Sequence, residues 1–385
     1  MNTGDNQQFT YSYSPASTKY DAKVDSLSNQ FKQKIIQNIP SATVNYSFKK
    51  LKINAGTGIS FTNFELKDIS FNKSYVRNYS NFFPSANLNY SYKSNHSLRV
   101  SYNGVTKQPT IDQLQPLRNN NDQFNQFIGN PNLQPSFSNN FNLSHNAYNF
   151  IKDIYMYQGL NLGLINNAIT NNRIIDPNTA KTITQPVNTA GNYNVNFYGG
   201  GGFKLKKADL RLGINANGGV NKNTDFINSL KSYSRSTRLG VGINATKSNE
   251  KKYTFSIDHQ VNYNQQTTSQ NNIKINYFIN TLTLNSIVYY KKLWSLETEY
   301  ELFARQKTAQ VPAISNNLLS AKLQRTFKKD EYTVYLGVND ILNQNIGIER
   351  NFFSNTFTET RNDRLKRYWL LGFAWNFKNK APQAK

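Results

Sequence analysis

A chain of 385 residues carries 45 Lys and Arg against 22 Asp and Glu, a net charge of +23, and no cysteine. The missing cysteine excludes disulfides, thiolate-bound zinc and thiol nucleophiles. Hydrophobic residues make up only 37% and no run approaches the roughly 20 apolar residues of a membrane-spanning helix, yet aromatics at 14% argue against disorder.

Residues 1–34 read as an N-terminal strand and an extracellular loop segment. Phe9, Tyr11 and Tyr13 alternate within Gln8 to Ser14 and supply that strand. The polar start, Met1-Asn2-Thr3-Gly4-Asp5-Asn6, has no charged-then-apolar export signal, so an upstream part is expected to be missing.

From 35 to 378 apolar residues recur at every second position. Ala42, Val44, Tyr46 and Phe48 give way at Lys49-Lys50 to Leu51, Ile53, Ala55 and Ile59. Leu88, Tyr90 and Tyr92 turn at Lys93 to His96 into Leu98, Val100 and Tyr102. Phe141 and Leu143 return through Met156, Leu160 and Leu164 after a turn placed at Asn146 to Lys152. Further basic turns fall at Lys206-Lys207, Lys247 to Lys252, Lys291-Lys292 and Lys328-Lys329-Asp330. The last strand is Trp369, Leu371, Phe373, Trp375 and Phe377, and 379–385 is a short polar tail.

Period two is the strand signal, and strict alternation gives one apolar and one polar face. The polar faces here are Ser295, Glu297, Glu299, Glu301 and Arg305, or Thr254, Ser256, Asp258, Gln260 and Asn262. A soluble sandwich would bury the apolar faces against each other. Short turns at one end, long polar connections at the other, and aromatics at strand ends instead describe an all-β, transmembrane, antiparallel up-and-down β-barrel of the outer membrane. The girdle expected at the membrane interface is Tyr289, Tyr290, Trp294, Tyr368, Trp369, Trp375 and Phe377. Roughly 15–16 strands are present, which allows a closed barrel or part of one with on the order of 22 strands. The lipid of the outer membrane is the first partner this implies.

Much of the lysine sits in the short turns, and no basic run is interleaved with aromatics on one strand face, so nucleic acid is not expected as a partner. The basic turns either anchor the barrel against anionic headgroups or are simply solvated. His96, His145 and His259 do not form a catalytic set, because Asp258 and its neighbour His259 point to opposite faces. No enzyme activity, cofactor or metal site is expected. Glu297, Glu299 and Glu301 line a wet interior rather than ligate a metal. Gly199–Gly202 reads as a bulge or a close contact with a plug rather than a phosphate loop.

After Tyr102 come Pro109, Ile111, Gln113, Leu114 and Pro116, then Gly129, Asn130, Pro131, Leu133 and Pro135. Val338-Asn339-Asp340-Ile341-Leu342-Asn343 with Arg350 forms a second element, and Gly372-Phe373-Ala374-Trp375-Asn376-Phe377 a third. Over about residues 25–378 the chain resembles the barrel of TonB-dependent receptors of the Bacteroidota type. The resemblance implies a nutrient receptor in which long loops capture a small ligand and a plug opens under pull from a TonB-type energy-coupling complex. It also implies insertion by the barrel-assembly machinery. No plug or energy-coupling box is present in these residues, and the tail 379–385 extends past the terminal aromatic. The alternative is a structural or adhesive barrel without transport. Ligand contacts are expected first in the 106–135 loop (Asp112, Gln113, Gln115, Arg118, the Asn119–Asn121 run and Asn130). The 340–365 loop follows (Asp340, Arg350, Arg361, Asp363), then 168–190. The Pro-rich loop has an equally physical reading as a rigid element, because its prolines fix φ and cannot join a ladder.

Overall fold

The computed structural model describes residues 2–24, 28–69, 72–114, 118–119, 122, 124–249, 252–270, 272–309, 311–328, 331–353 and 356–377. Among them are 25 strands and one short helix, Ile111–Leu114. The chain forms two compact units, Met1–His145 with Leu160–Val195 and Asn221–Arg235, and Asn146–Gly159 with Asn196–Val220 and Ser236–Lys385.

In the first unit, Leu51–Asp68 pairs antiparallel with two successive partners, Asn29–Asn38 and Ser41–Phe48. The break falls at Pro40, which has no N–H for a ladder, and its carbonyl still accepts from Ile59 at 3.0 Å. Lys73–Lys93 and His96–Lys107 continue the meander. In the second unit the meander runs Tyr253–Thr268, Lys274–Tyr290, Trp294–Arg305, Ile314–Phe327, Tyr332–Asn339 and Tyr368–Trp375, each antiparallel to the next.

The register puts Leu284, Tyr300 and Leu319 in one row across the ladder, and Asn285, Glu299 and Ser320 in the other. The two faces are therefore chemically distinct in the middle of the ladder. The apolar rows stay exposed: Leu284 is 39% and Leu296 44% exposed, although each is part of a paired strand. An apolar face left open on a paired sheet is what a lipid-facing wall requires.

Several connections differ from expectation. Strands run on where polar loops were expected: Lys73–Lys93 has 21 residues, about twice the 9–11 that cross a bilayer. Along Leu51–Asp68 the outer row changes from Ile59 and Phe61 to Asn63, Glu65 and Lys67, which marks where strand leaves lipid. The 168–190 segment is a hairpin of Ala168–Ile175 and Thr182–Thr189. Leu210–Ile227 and Leu230–Asn249 are joined by Asn228 and Ser229 alone, at φ 50° and 64°. Two left-handed residues match the twist of the flanking strands. Polar residues at these places are solvated ladder, not irregular backbone. The turn placed at 146–152 lies at 150–153, because Ser136–Asn149 keeps pairing to its end.

The strand expected at Gln8 to Ser14 is also displaced. Asn2–Gln8 pairs with Asn29–Asn38, and Tyr11–Ser14 forms its own hairpin with Lys19–Lys23. The rings of Tyr13 and Tyr20 meet edge to face at 5.6 Å, and that cross-strand pair fixes the hairpin. The glycine run makes room for this chain's own rings. A Cβ on Gly200 would lie 2.6 Å from the Tyr157 hydroxyl, and one on Gly202 2.7 Å from the Tyr155 ring. The tail 379–385 lies outside the described residues.

One cluster of buried apolar residues lies in the first unit: Phe31, Phe64, Leu66, Leu114 and Leu133. Phe31, Phe64 and Leu66 come from strands, whereas Leu114 and Leu133 come from the Pro-rich segment after His96–Lys107. Leu114 and Leu133 thus anchor the described parts of the segment on the face opposite Ile59 and Phe61. Leu133 is 0% exposed, so Leu133→Ala leaves a cavity costing about 2–5 kcal/mol locally. The expected result is protease cleavage within 108–135 of the refolded protein while the strands stay protected. Unchanged protection of the segment would contradict this packing.

Candidate functional site

The Pro-rich segment owes its shape to local bonds. Thr110 caps the short helix: the Gln113 backbone N–H points to Thr110 Oγ1 at 3.4 Å, and the Gln113 side-chain oxygen accepts from the Thr110 N–H at 2.9 Å. This is a capping box written by Thr-x-x-Gln. Asn130 receives the Asn132 N–H at 2.9 Å and donates to the Pro186 carbonyl at 3.0 Å. Arg77 donates to the carbonyls of Leu133 and Pro131. Gln113 and Asn130 are therefore engaged in holding the segment. Asp112 lies in the helix, Gln115 and the Asn120-Asn121 pair lie outside the described residues, and Arg118 and Asn119 pair with Ile128 and Phe127 through backbone.

Asp340 is 5% exposed and sits at φ 51°. Its two carboxylate oxygens accept from the backbone of Gln344 at 2.9 Å and Asn345 at 3.0 Å. The Asn-Asp-Ile-Leu-Asn motif is thus a turn locked by one buried carboxylate. Arg350 lies beyond it on a hairpin, Ile348–Phe353 with Thr356–Arg361. Glu359 receives Nε of both Arg350 and Arg361 at 2.6 Å, and these bonds hold its carboxyl below the usual range, Arg350 contributing most.

Arg350 lines a cavity of about 430 Å³ together with Arg238, Tyr277, Phe303, Arg305 and Arg364. Of the residues expected from sequence, Arg350 is the one placed there. Arg238 and Arg305 escaped notice because each stands alone in an alternating strand and only the register brings them together. Closer to the basic turns, a second cavity of about 360 Å³ is lined by Glu297, Glu299, Lys322 and Tyr335. Lys322 and Glu297 pair there at 2.6 Å. The Glu297 and Glu299 side chains thus stand on the polar row, where alternation placed them.

The aromatics divide by row. Tyr290 opposes Trp294, and Trp375 opposes Tyr332, all on the apolar side. Trp369 is 68%, Trp375 49% and Phe377 76% exposed. Tyr289 pairs with Ser295 and Tyr368 with Asn339 on the polar side, so these two leave the expected girdle. Being odd neighbours of girdle residues, they necessarily face the other way. Lys291 of a basic turn lies 5.2 Å from the Tyr290 ring centre, and Arg325 of the Ile314–Phe327 strand 5.0 Å from that of Trp294, so cations pack against these strand-end rings. The histidines are tied locally: Nε2 of His145 to the Tyr92 hydroxyl at 2.8 Å and of His259 to Asn280 Oδ1 at 2.7 Å. His96 Nδ1 meets the Ser94 carbonyl at 2.8 Å. Among the described residues no three His, Asp or Glu side chains gather as metal ligands.

A model of the outer membrane protein beta-barrel family matches residues 2–234 and 223–375. The chain belongs to this family. It is an outer-membrane barrel, with its apolar rows toward lipid and its polar rows toward the interior. The solved structures include a similar chain, OmpT (in-vitro folded) of Vibrio cholerae, at 10% identity, covering 90% of this barrel and 97% of that chain with a TM-score of 0.32. That score is too low to carry any argument. No curated protein matches the chain.

Because the folded value of Glu359 lies below its ordinary 4.5, its contribution is complete above that range and is lost as pH falls through the lowered value. Amide exchange across 348–361 is expected to accelerate over that acid window. Glu359→Gln is expected to raise exchange at neutral pH and remove the acid step. An acid step that persists in Glu359→Gln would contradict the assignment.

Proposed function

We propose that this barrel is the wall of a TonB-dependent receptor, which takes up a small nutrient through extended strands and a polar interior. The observation that carries the reading is the inward docking of the Pro-rich segment. Leu114 and Leu133 bury against Phe31, Phe64 and Leu66 on the face opposite the lipid row. A purely adhesive barrel needs its outer segments displayed to the surroundings. Here one such segment is anchored through Leu114 and Leu133 to the face opposite the lipid row, where the receptor reading has it meet what enters. The ordered Pro109-to-Pro135 and Asn339-to-Asn343 elements support the same reading through the resemblance given above.

In this function the barrel performs no bond chemistry. It supplies a wet wall of Asn, Gln, Ser and Glu, and fixes segments that select the ligand. The plug and the TonB-type complex would supply gating and force, and the barrel-assembly machinery would insert the strands. The second reading, a structural or adhesive barrel, keeps the same wall but a sealed interior.

Planar-bilayer recording of the refolded chain separates the two. The receptor reading predicts ion conductance, raised several-fold when residues 110–134 are replaced by a short Gly-Ser linker. A correctly inserted barrel that stays silent with and without the segment would favour the sealed, non-transporting reading.

A further inference from the structure

The cavity around Arg350 carries more positive charge than its carboxylates balance. Four arginines line it, Arg238, Arg305, Arg350 and Arg364, against one carboxylate, Glu349. Glu349 pairs with Arg364 at 3.2 Å, and Arg350 is held by Glu359 at 2.6 Å. Among the described residues Arg238 reaches only a neutral oxygen, Asn264 Oδ1, at 3.3 Å. Arg305 has no carboxylate partner among the described residues.

Arg305 is the decisive residue. It is 7% exposed, and its buried Nε has no hydrogen-bond partner among the described residues. Its Nη1 makes one long bond, 3.5 Å, to the Arg350 carbonyl, and its guanidinium lies 4.2 Å from the centre of the Tyr277 ring. A guanidinium removed from water, with a donor unmet and no counter-charge, is costly unless an anion completes it. The ring packing holds the planar fork in place beforehand, so less entropy is lost when two parallel bonds form.

The rest of the wall tells what carries the anion. Ile279, Phe303, Ile314, Ile346 and Ile348 are apolar, and Asn316 offers a buried, unpartnered Oδ1. A cavity of about 430 Å³ lies in the size range of small-molecule sites. Its strand residues Tyr277, Ile279, Phe303 and Arg305 share one row, and that row continues into Glu301, Glu299 and Glu297 of the polar face. The cavity therefore opens to the interior solution rather than to lipid.

We infer that this cavity is a binding site for a small organic oxyanion, a carboxylate or phosphate ester with an apolar body, whose oxygens are gripped by Arg305 and Arg238. Arg350 and Arg364 are already paired and shape the rim. The inference names the ligand class of the receptor proposed above. Binding itself is measured without transport, so a silent bilayer and an empty cavity are separate outcomes.

The test is calorimetric titration of the refolded full chain in neutral detergent with phenyl phosphate, benzyl alcohol and inorganic phosphate. Phenyl phosphate is expected to saturate one site, inorganic phosphate to bind more weakly, and benzyl alcohol not to bind. Arg305→Gln and Arg238→Gln are each expected to weaken phenyl phosphate at least tenfold. Lys292→Gln removes the same charge at the far end of the Lys274–Tyr290 strand and is expected to leave binding unchanged. Arg238 is exposed, so its variant decides the matter if Arg305→Gln loses its heat-sensitive folded band. Micelles doped with phosphatidylglycerol are expected not to compete. Equal affinity in Arg238→Gln, equal binding of benzyl alcohol, loss in Lys292→Gln, or competition by the lipid would each overturn the assignment.

Discussion

Inside a bilayer a backbone N–H or C=O has no water to turn to, and each one left unpaired costs several kcal/mol. Everything else in this protein follows from that constraint. It demands continuous ladders, which the antiparallel meanders supply residue by residue through the Trp294–Arg305 strand and its neighbours. It leaves side chains free to differ on the two faces. Alternation then does the sorting: Leu284, Leu296 and Leu323 meet lipid while Glu299 and Ser320 meet water. A chain with modest hydrophobic content can therefore live in a membrane, because only half of each strand has to be apolar.

Charge obeys the same logic. Lysines cluster at the short turns between strands, and Lys49, Lys291 and Lys328 lie over aromatic rings at the strand ends. Arginines that enter the interior are treated differently. Arg77 spends its donors on carbonyls of the docked segment, and Arg173 pairs with Asp225 at 2.9 Å. Arg305 breaks the pattern, and a residue that departs from the rule its neighbours obey is where function is expected.

The fold was legible wherever it is local. The basic turns at Lys49, Lys206 and Lys291 lie where the alternation stops, and the polar row of Glu297, Glu299 and Glu301 is one face of one strand. What was not legible is cross-strand. Asn228-Ser229 gives no cue that distinguishes it from a long polar loop, because the strands on either side remain polar once they leave lipid. Tyr11 and Tyr13 alternate as a wall strand would, yet a ring contact with Tyr20 decides their pairing. Arg238, Tyr277 and Arg305 converge from three strands, and only the register sets their distance. Gln113 and Asn130 stood out in the sequence as motif residues expected to meet a ligand, whereas their side chains bond to Thr110, Asn132 and Pro186 of this chain.

The central claim is that the two rows of a single strand face different solvents. The chain has no native cysteine, so single cysteines report cleanly. The most direct measurement places them one at a time at residues 296, 297, 299, 301 and 302 and labels the bilayer-inserted protein with a charged maleimide. Labelling at 297, 299 and 301 with protection at 296 and 302 is the predicted result. Uniform labelling, or protection of the glutamate row with labelling of the leucines, would contradict it.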